Sequence, residues 1–169
     1  MRTEVPAGDN KTRYVCENCA TVLYENPKLV VGCVTECEQK ILLCVRSIEP
    51  RKGFWTVPAG FMELGETLGE AALRETKEEA CADVQLGSML AVINVVQAGQ
   101  VHVFFRGTLP TPDFAAGDES ADARLFAPED IPWDEIAFSS GYIALKHYLQ
   151  EREAGTDTVH METAPTDRR

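Results

Sequence analysis

Residues 59–84 read AGFMELGETLGEAALRETKEEACADV, and they decide how the rest of the chain is understood. Thr67 followed three residues later by Glu70 has the form of a capping box, so a helix is expected over residues 67–82. Leu73, Thr76 and Ala80 give that helix a modest apolar stripe toward a core. Glu63, Glu66, Glu70, Glu75, Glu78 and Glu79 crowd the turn and the helix, with Arg74 and Lys77 alone to balance them.

Residues three and four apart share a helix face, so Glu75, Glu78 and Glu79 project within about 100° of one another. Like charges at that spacing repel, and carboxylates near a helix C-terminus oppose its dipole. A solvated acidic face is the ordinary outcome of such a run. Here the Gly60 and Gly65 turn leaves room for backbone carbonyls to approach the same point. A hard divalent cation, Mg²⁺ or Mn²⁺, would relieve the repulsion, because it prefers carboxylate and water oxygens and is often shared with substrate phosphates.

Outward from this segment, residues 29–36 and 40–47 are apolar runs joined by a short polar turn, as in a hairpin of strands buried on both faces. Residues 89–97 and 101–109 suggest a second hairpin, residues 123–128 a short strand, and residues 139–153 a second amphipathic helix. The pattern predicts an α/β fold, a mixed sheet between helices in α/β/α layers. Residues 1–12 are expected to be loose, 13–28 to form a small hairpin, 29–153 the main domain, and 154–169 a disordered tail.

The net charge of −11 supplies no basic stripe for nucleic acid or an anionic membrane, but it leaves a small anionic substrate open where a cation mediates the contact. No apolar run reaches membrane length and the N-terminus lacks a secretion signal, so a cytoplasmic location is expected. The six cysteines are expected to be reduced, since Cys33 and Cys44 fall inside strand-like runs of a domain that needs no staples.

Gly60, Glu66, Arg74, Glu75, Glu78 and Glu79 stand at the spacing of the Nudix box, G-x5-E-x7-R-E-U-x-E-E-x-G-U, and the chain resembles the Nudix hydrolases. Thr76, Cys81 and Ala82 depart from that pattern. Cys81 replaces a glycine that would take the left-handed backbone at a helix end. The resemblance implies a Nudix fold and divalent-metal-dependent cleavage of a nucleoside diphosphate linked to another moiety. It implies Glu75, Glu78, Glu79 and the Ala59 carbonyl as metal ligands. Gly60, Glu66 and Arg74 would be structural supports, with Arg74 bridging acidic side chains. Glu75, Glu119 or Asp122 would serve as the base.

Residues 14–150 resemble the Nudix subgroup with an N-terminal zinc ribbon, which includes plant plastid FAD diphosphatases and ADP-ribose pyrophosphatases. FAD and ADP-ribose are therefore the leading substrates. The resemblance makes residues 13–28 the remnant of that ribbon. Of its two Cys-x-x-Cys pairs this chain carries Cys16 and Cys19 alone, against the four ligands of tetrahedral zinc. Zinc is not expected there unless a pair is shared across a dimer or the chain starts earlier. Arg46 and Arg51 are candidates for phosphate contact and Trp55 for stacking on a base. A homodimer is a weaker expectation. The alternatives are a non-catalytic nucleotide sensor, against which the intact carboxylates count, and a house-cleaning nucleoside triphosphate pyrophosphohydrolase.

Overall fold

A computed structural model describes residues 1–166 of the chain. Three short strands, β1 (Arg2–Glu4), β2 (Arg13–Val15) and β3 (Val22–Leu23), form an antiparallel sheet in that order at the N-terminus. The first dozen residues are therefore not loose as expected: Arg2–Glu4 pairs along Arg13–Val15, and Arg13 Nε donates to Asp9 across the connecting loop.

The main sheet begins with β4 (Lys28–Cys37) and β5 (Lys40–Arg46), a hairpin whose two turn residues, Glu38 and Gln39, both have positive φ. Two short strands follow, β6 (Trp55–Thr56) on β5 and β7 (Ala59–Phe61) on β4. After the helix α1 (Leu68–Ala80) come β8 (Gln85–Val95), β9 (Gln100–Thr108) and β10 (Ser120–Phe126). The helix α2 (Ser139–Ala154) and a last strand β11 (His160–Thr163) complete the order. The sheet runs β10-β5-β4-β9-β8-β11, with β4–β9 and β8–β11 parallel and the other pairs on this path antiparallel.

Strand alternation explains the layers. Val31 and Cys33 of β4 pack with Ala71 and Ala72 of α1, whereas Val34, Ile41 and Leu43 pack with Ala144 and Leu145 of α2. One helix covers each face, and the fold is α/β. The buried face of α1 differs from the expected stripe: Ala71, Ala72, Thr76 and Ala80 are buried with Glu75 and Glu79, while Leu73 is half-buried. Thr76 tolerates burial because its hydroxyl donates to the Ala72 carbonyl at 2.8 Å.

The expected tail from residue 154 is also corrected. His160–Thr163 adds a parallel strand to the edge of β8, and Ala164 is buried in the core under α2. Residues 167–169 of that expectation lie outside the described residues. All six cysteines are free thiols, and burial pushes Cys33 up to about 11 and Cys44 up to about 12.

Candidate active site

A cavity of about 1050 Å³ opens where β7, the first turn after it, the C-terminal half of α1 and the loop before β10 meet. Glu75, Glu78, Glu79, Ala59, Gly60 and Glu119 all line it. The capping box fixes the start of α1: Thr67 Oγ1 accepts from the Glu70 N–H and the Glu70 carboxylate accepts from the Thr67 N–H. At the other end Cys81 adopts the left-handed backbone, φ 52° and ψ 19°, and its N–H donates to Lys77 O. The helix thus ends where a glycine would end it, at the cost of a strained cysteine.

Gly60 lies against the Glu75 carboxylate so closely that a Cβ there would overlap it. That contact is the physical reason a glycine occupies the position. Arg74 ties the segment together. Its Nη1 donates to Glu75 at 2.6 Å and Glu78 at 3.2 Å; its Nε and Nη2 hold Glu66 at 3.0 and 2.7 Å, and Nη2 also donates to Phe61 O. Such a charge-assisted fork fixes loop and helix together.

Glu79 is buried and accepts from the Ala59 N–H at 3.0 Å. Burial pushes its carboxyl up to about 7, with Glu75 and Glu119 adding to the shift and the Ala59 N–H and Arg46 opposing it. Glu75 is raised as well, by burial above all, against the pull of Arg74. Glu75 and Glu79 are buried while Glu78 is exposed at the cavity rim, and among the described residues no three metal-ligating side chains form a finished cluster. Glu75 and Glu78 lean on Arg74 while Glu79 turns to Ala59.

The donor set fits a hard divalent cation. Two buried carboxylates share one cavity, and among the described residues the hydrogen-bond donor that reaches the Glu79 carboxylate is the neutral Ala59 N–H.

The loop before β10 completes the site in a way the sequence reading missed. Ala115 N and Gly117 N donate to Ala80 O and Glu79 O, the last carbonyls of α1, at 2.9 and 3.0 Å. Gly117 sits so close to the Glu78 carbonyl that any side chain would overlap it, and this docking carries Glu119 to the cavity.

Arg46 lines the cavity, with its guanidinium over the Phe138 ring and its Nε donating to Pro50 O at 2.8 Å; Arg51 lines it too, over the Phe54 ring. Two other candidates are corrected. Trp55 is core, packed edge-on against Phe126 with ring centroids 4.7 Å apart, and does not line the cavity. Asp122 is likewise absent from the lining, its carboxylate paired with Arg124 at 2.6 Å. At the N-terminus Cys16 is half-buried and Cys19 exposed, with the Cys19 thiol 3.1 Å from the Thr21 hydroxyl.

A family model described as the NUDIX domain matches residues 26–145, most of the chain. The chain belongs to the Nudix family. A second model, the Nudix N-terminal zinc ribbon, matches residues 1–25, so the three-stranded N-terminal sheet corresponds to that element. The chain is 32% identical over 132 residues to an ADP-ribose pyrophosphatase of Methanocaldococcus jannaschii, covering 76% of each. It is 31% identical to the NAD-capped RNA hydrolase NudC of Vibrio vulnificus, covering 73% of this chain but 47% of that protein, so it spans about half of that relative.

Among solved structures, a NUDIX hydrolase from Nitrosomonas europaea superposes with a TM-score of 0.92 at 45% identity, covering 96% of this chain and 92% of that one. This Nudix hydrolase thus shares both its catalytic fold and its N-terminal appendage with known members, and the family uses divalent metal ions. No helix among the described residues is long and apolar enough to cross a membrane.

Proposed function

We propose that this Nudix hydrolase cleaves the pyrophosphate bridge of an adenosine diphosphate conjugate, ADP-ribose or FAD, with Mg²⁺ or Mn²⁺ held by Glu75, Glu78 and Glu79. The observation that carries the reading is the burial of Glu75 and Glu79 together on one cavity, where a glycine turn brings backbone against them. The relative named as an ADP-ribose pyrophosphatase supports the choice of substrate class, and a volume of about 1050 Å³ holds a dinucleotide.

When bound, the cation supplies neutralisation of the bridging phosphates and a more acidic water. The residues do the rest. Arg46 and Arg51, on the same cavity, attract and orient the diphosphate. Arg74 holds Glu66, Glu75 and Glu78 in place and so keeps the carboxylates aligned. Glu119, on the docked loop, accepts the proton from the attacking water; Glu75 is the second choice because it already engages Arg74. The water oxygen joins one phosphorus, the bridging oxygen leaves with the other, and ADP-ribose yields AMP and ribose 5-phosphate.

Mass spectrometry of products from ADP-ribose, FAD and NADH, incubated side by side with Mg²⁺, tests the reading. AMP with ribose 5-phosphate, or AMP with FMN, is the expected pair. Tight nucleotide binding without any turnover would replace the enzyme by a sensor, and pyrophosphate released from a nucleoside triphosphate would point to a house-cleaning role.

A further inference from the structure

The acidic and basic side chains gather at one end of the cavity, and the opposite end has a different chemistry. It is lined by Val95, Gln97, Gln100, His102, Phe104 and Pro165. Sheet register fixes its place. Phe61 of β7 pairs with Val30 of β4, and Val30 pairs with His102 of β9. Two inter-strand spacings, about 10 Å, therefore separate the edge of the glycine turn from His102. One nucleoside can bridge that span.

Among the described residues, no lining group named at this end carries a charge at neutral pH. His102 is 8% exposed, and burial lowers its imidazole to about 4, so the ring is neutral. Its Nε2 lies 2.8 Å from Gln100 Oε1, which makes Nε2 the donor and leaves Nδ1 as an acceptor. With that donor engaged by Gln100, the pair offers the Nδ1 acceptor and the Gln100 amide N–H groups, which suit a heterocycle edge, and no positive charge to hold a phosphate.

The outer wall of this end is the C-terminal segment, and it is fastened on both sides. Ala164 N donates to Asn94 O at 2.8 Å, Asn94 Nδ2 to Glu162 O at 3.2 Å and Gln97 Nε2 to Pro165 O at 3.3 Å. Below, the His147 and His160 rings stack at 3.8 Å. His147 pairs with Glu162, and His160 with the buried Glu151, which also pairs with Arg106. These contacts deliver Pro165 and Thr166 to the cavity rim.

We propose that the uncharged end is a compartment for the neutral heterocycle of the nucleotide substrate, with His102 and Gln100 reading its edge and residues 163–166 forming a wall that sets which base fits. The proposal rests on the pyrophosphohydrolase reading for its kinetics but not for its binding.

The test uses the full chain with Mg²⁺ and ADP-ribose beside its inosine and uridine analogues. Wild type is expected to discriminate among the three. His102→Phe should raise KM for the preferred base about tenfold with kcat within about threefold, and should flatten the discrimination. Thr166→Trp, at an exposed rim position, should raise KM with the melting temperature unchanged. Unaltered KM and base preference in both variants would overturn the compartment. Adenosine and ribose 5-phosphate are titrated separately without metal while the His102 ring resonances are followed by NMR. Movement with adenosine and none with ribose 5-phosphate supports the compartment whether or not pyrophosphate is cleaved. Any other pattern overturns it.

Discussion

The two ends of the cavity are built in opposite ways. The carboxylate cluster of the acidic end is braced within residues 59–79, where Arg74 reaches Glu66 eight positions away and Ala59 meets Glu79 twenty away, and Arg46, Arg51 and Glu119 join it from either side of that span. The uncharged end brings together β8, β9, the turn between them and the C-terminal segment, with Gln97 and Pro165 sixty-eight positions apart. A short, internally braced span suits groups that must hold one geometry for bond cleavage. A wall made of a terminal strand can change its residues without moving the carboxylates. On the proposed reading, reaction and recognition are separable in this chain, and each is expected to be open to damage alone.

The largest separation should come from Glu79→Gln, which is expected to lower kcat for ADP-ribose by about 10³-fold or more while adenosine binding at the other end is retained. Its melting temperature without metal should hold or rise, because a buried charge beside Glu75 is removed. Steady-state kinetics and calorimetry check both halves.

Arg74→Met removes the donor shared by Glu66, Glu75 and Glu78, and a loss of about 2–3 kcal/mol in urea unfolding is expected together with reduced kcat. At the other end Ala164→Glu forces a carboxylate into a position 3% exposed. It should unseat β11, cost about 2 kcal/mol, and raise KM far more than it lowers kcat. Should kcat fall as much as KM rises, the two ends are not separable.

Cys81→Gly should stabilise the fold by about 1 kcal/mol, since glycine takes the left-handed backbone without strain. The smallest effect is a pH dependence. Arg74 holds the Glu66 carboxyl down at about 2, below its ordinary 4.5. The stability Glu66 contributes is thus complete above pH 4.5 and fades as pH falls toward 2. The melting-temperature gap between wild type and Glu66→Gln should close over that window.

The same contrast governs what could be read from sequence. The box, the helix cap and the β4–β5 hairpin depend on neighbours within a few residues, and their spacing is visible in the chain. His160–Thr163 is short and mostly exposed, and its strand form comes from the edge of β8 and from His147 on α2, neither of which leaves a local signature. Arg2–Glu4 escaped for the same reason. Trp55 could not be assigned because spacing does not tell a core ring from a stacking platform. Asp122 could have been: Asp122 and Arg124, two apart in a strand, share a face and pair.

The proposed chemistry depends on a divalent cation held by the carboxylates of α1. The most direct measurement is a Mn²⁺ titration of the substrate-free protein followed by electron paramagnetic resonance. Wild type should deplete the free-ion signal with saturable stoichiometry, and a Glu75→Gln, Glu79→Gln double variant should not. Equal depletion by both proteins, or none by wild type, would show that these carboxylates do not hold the ion.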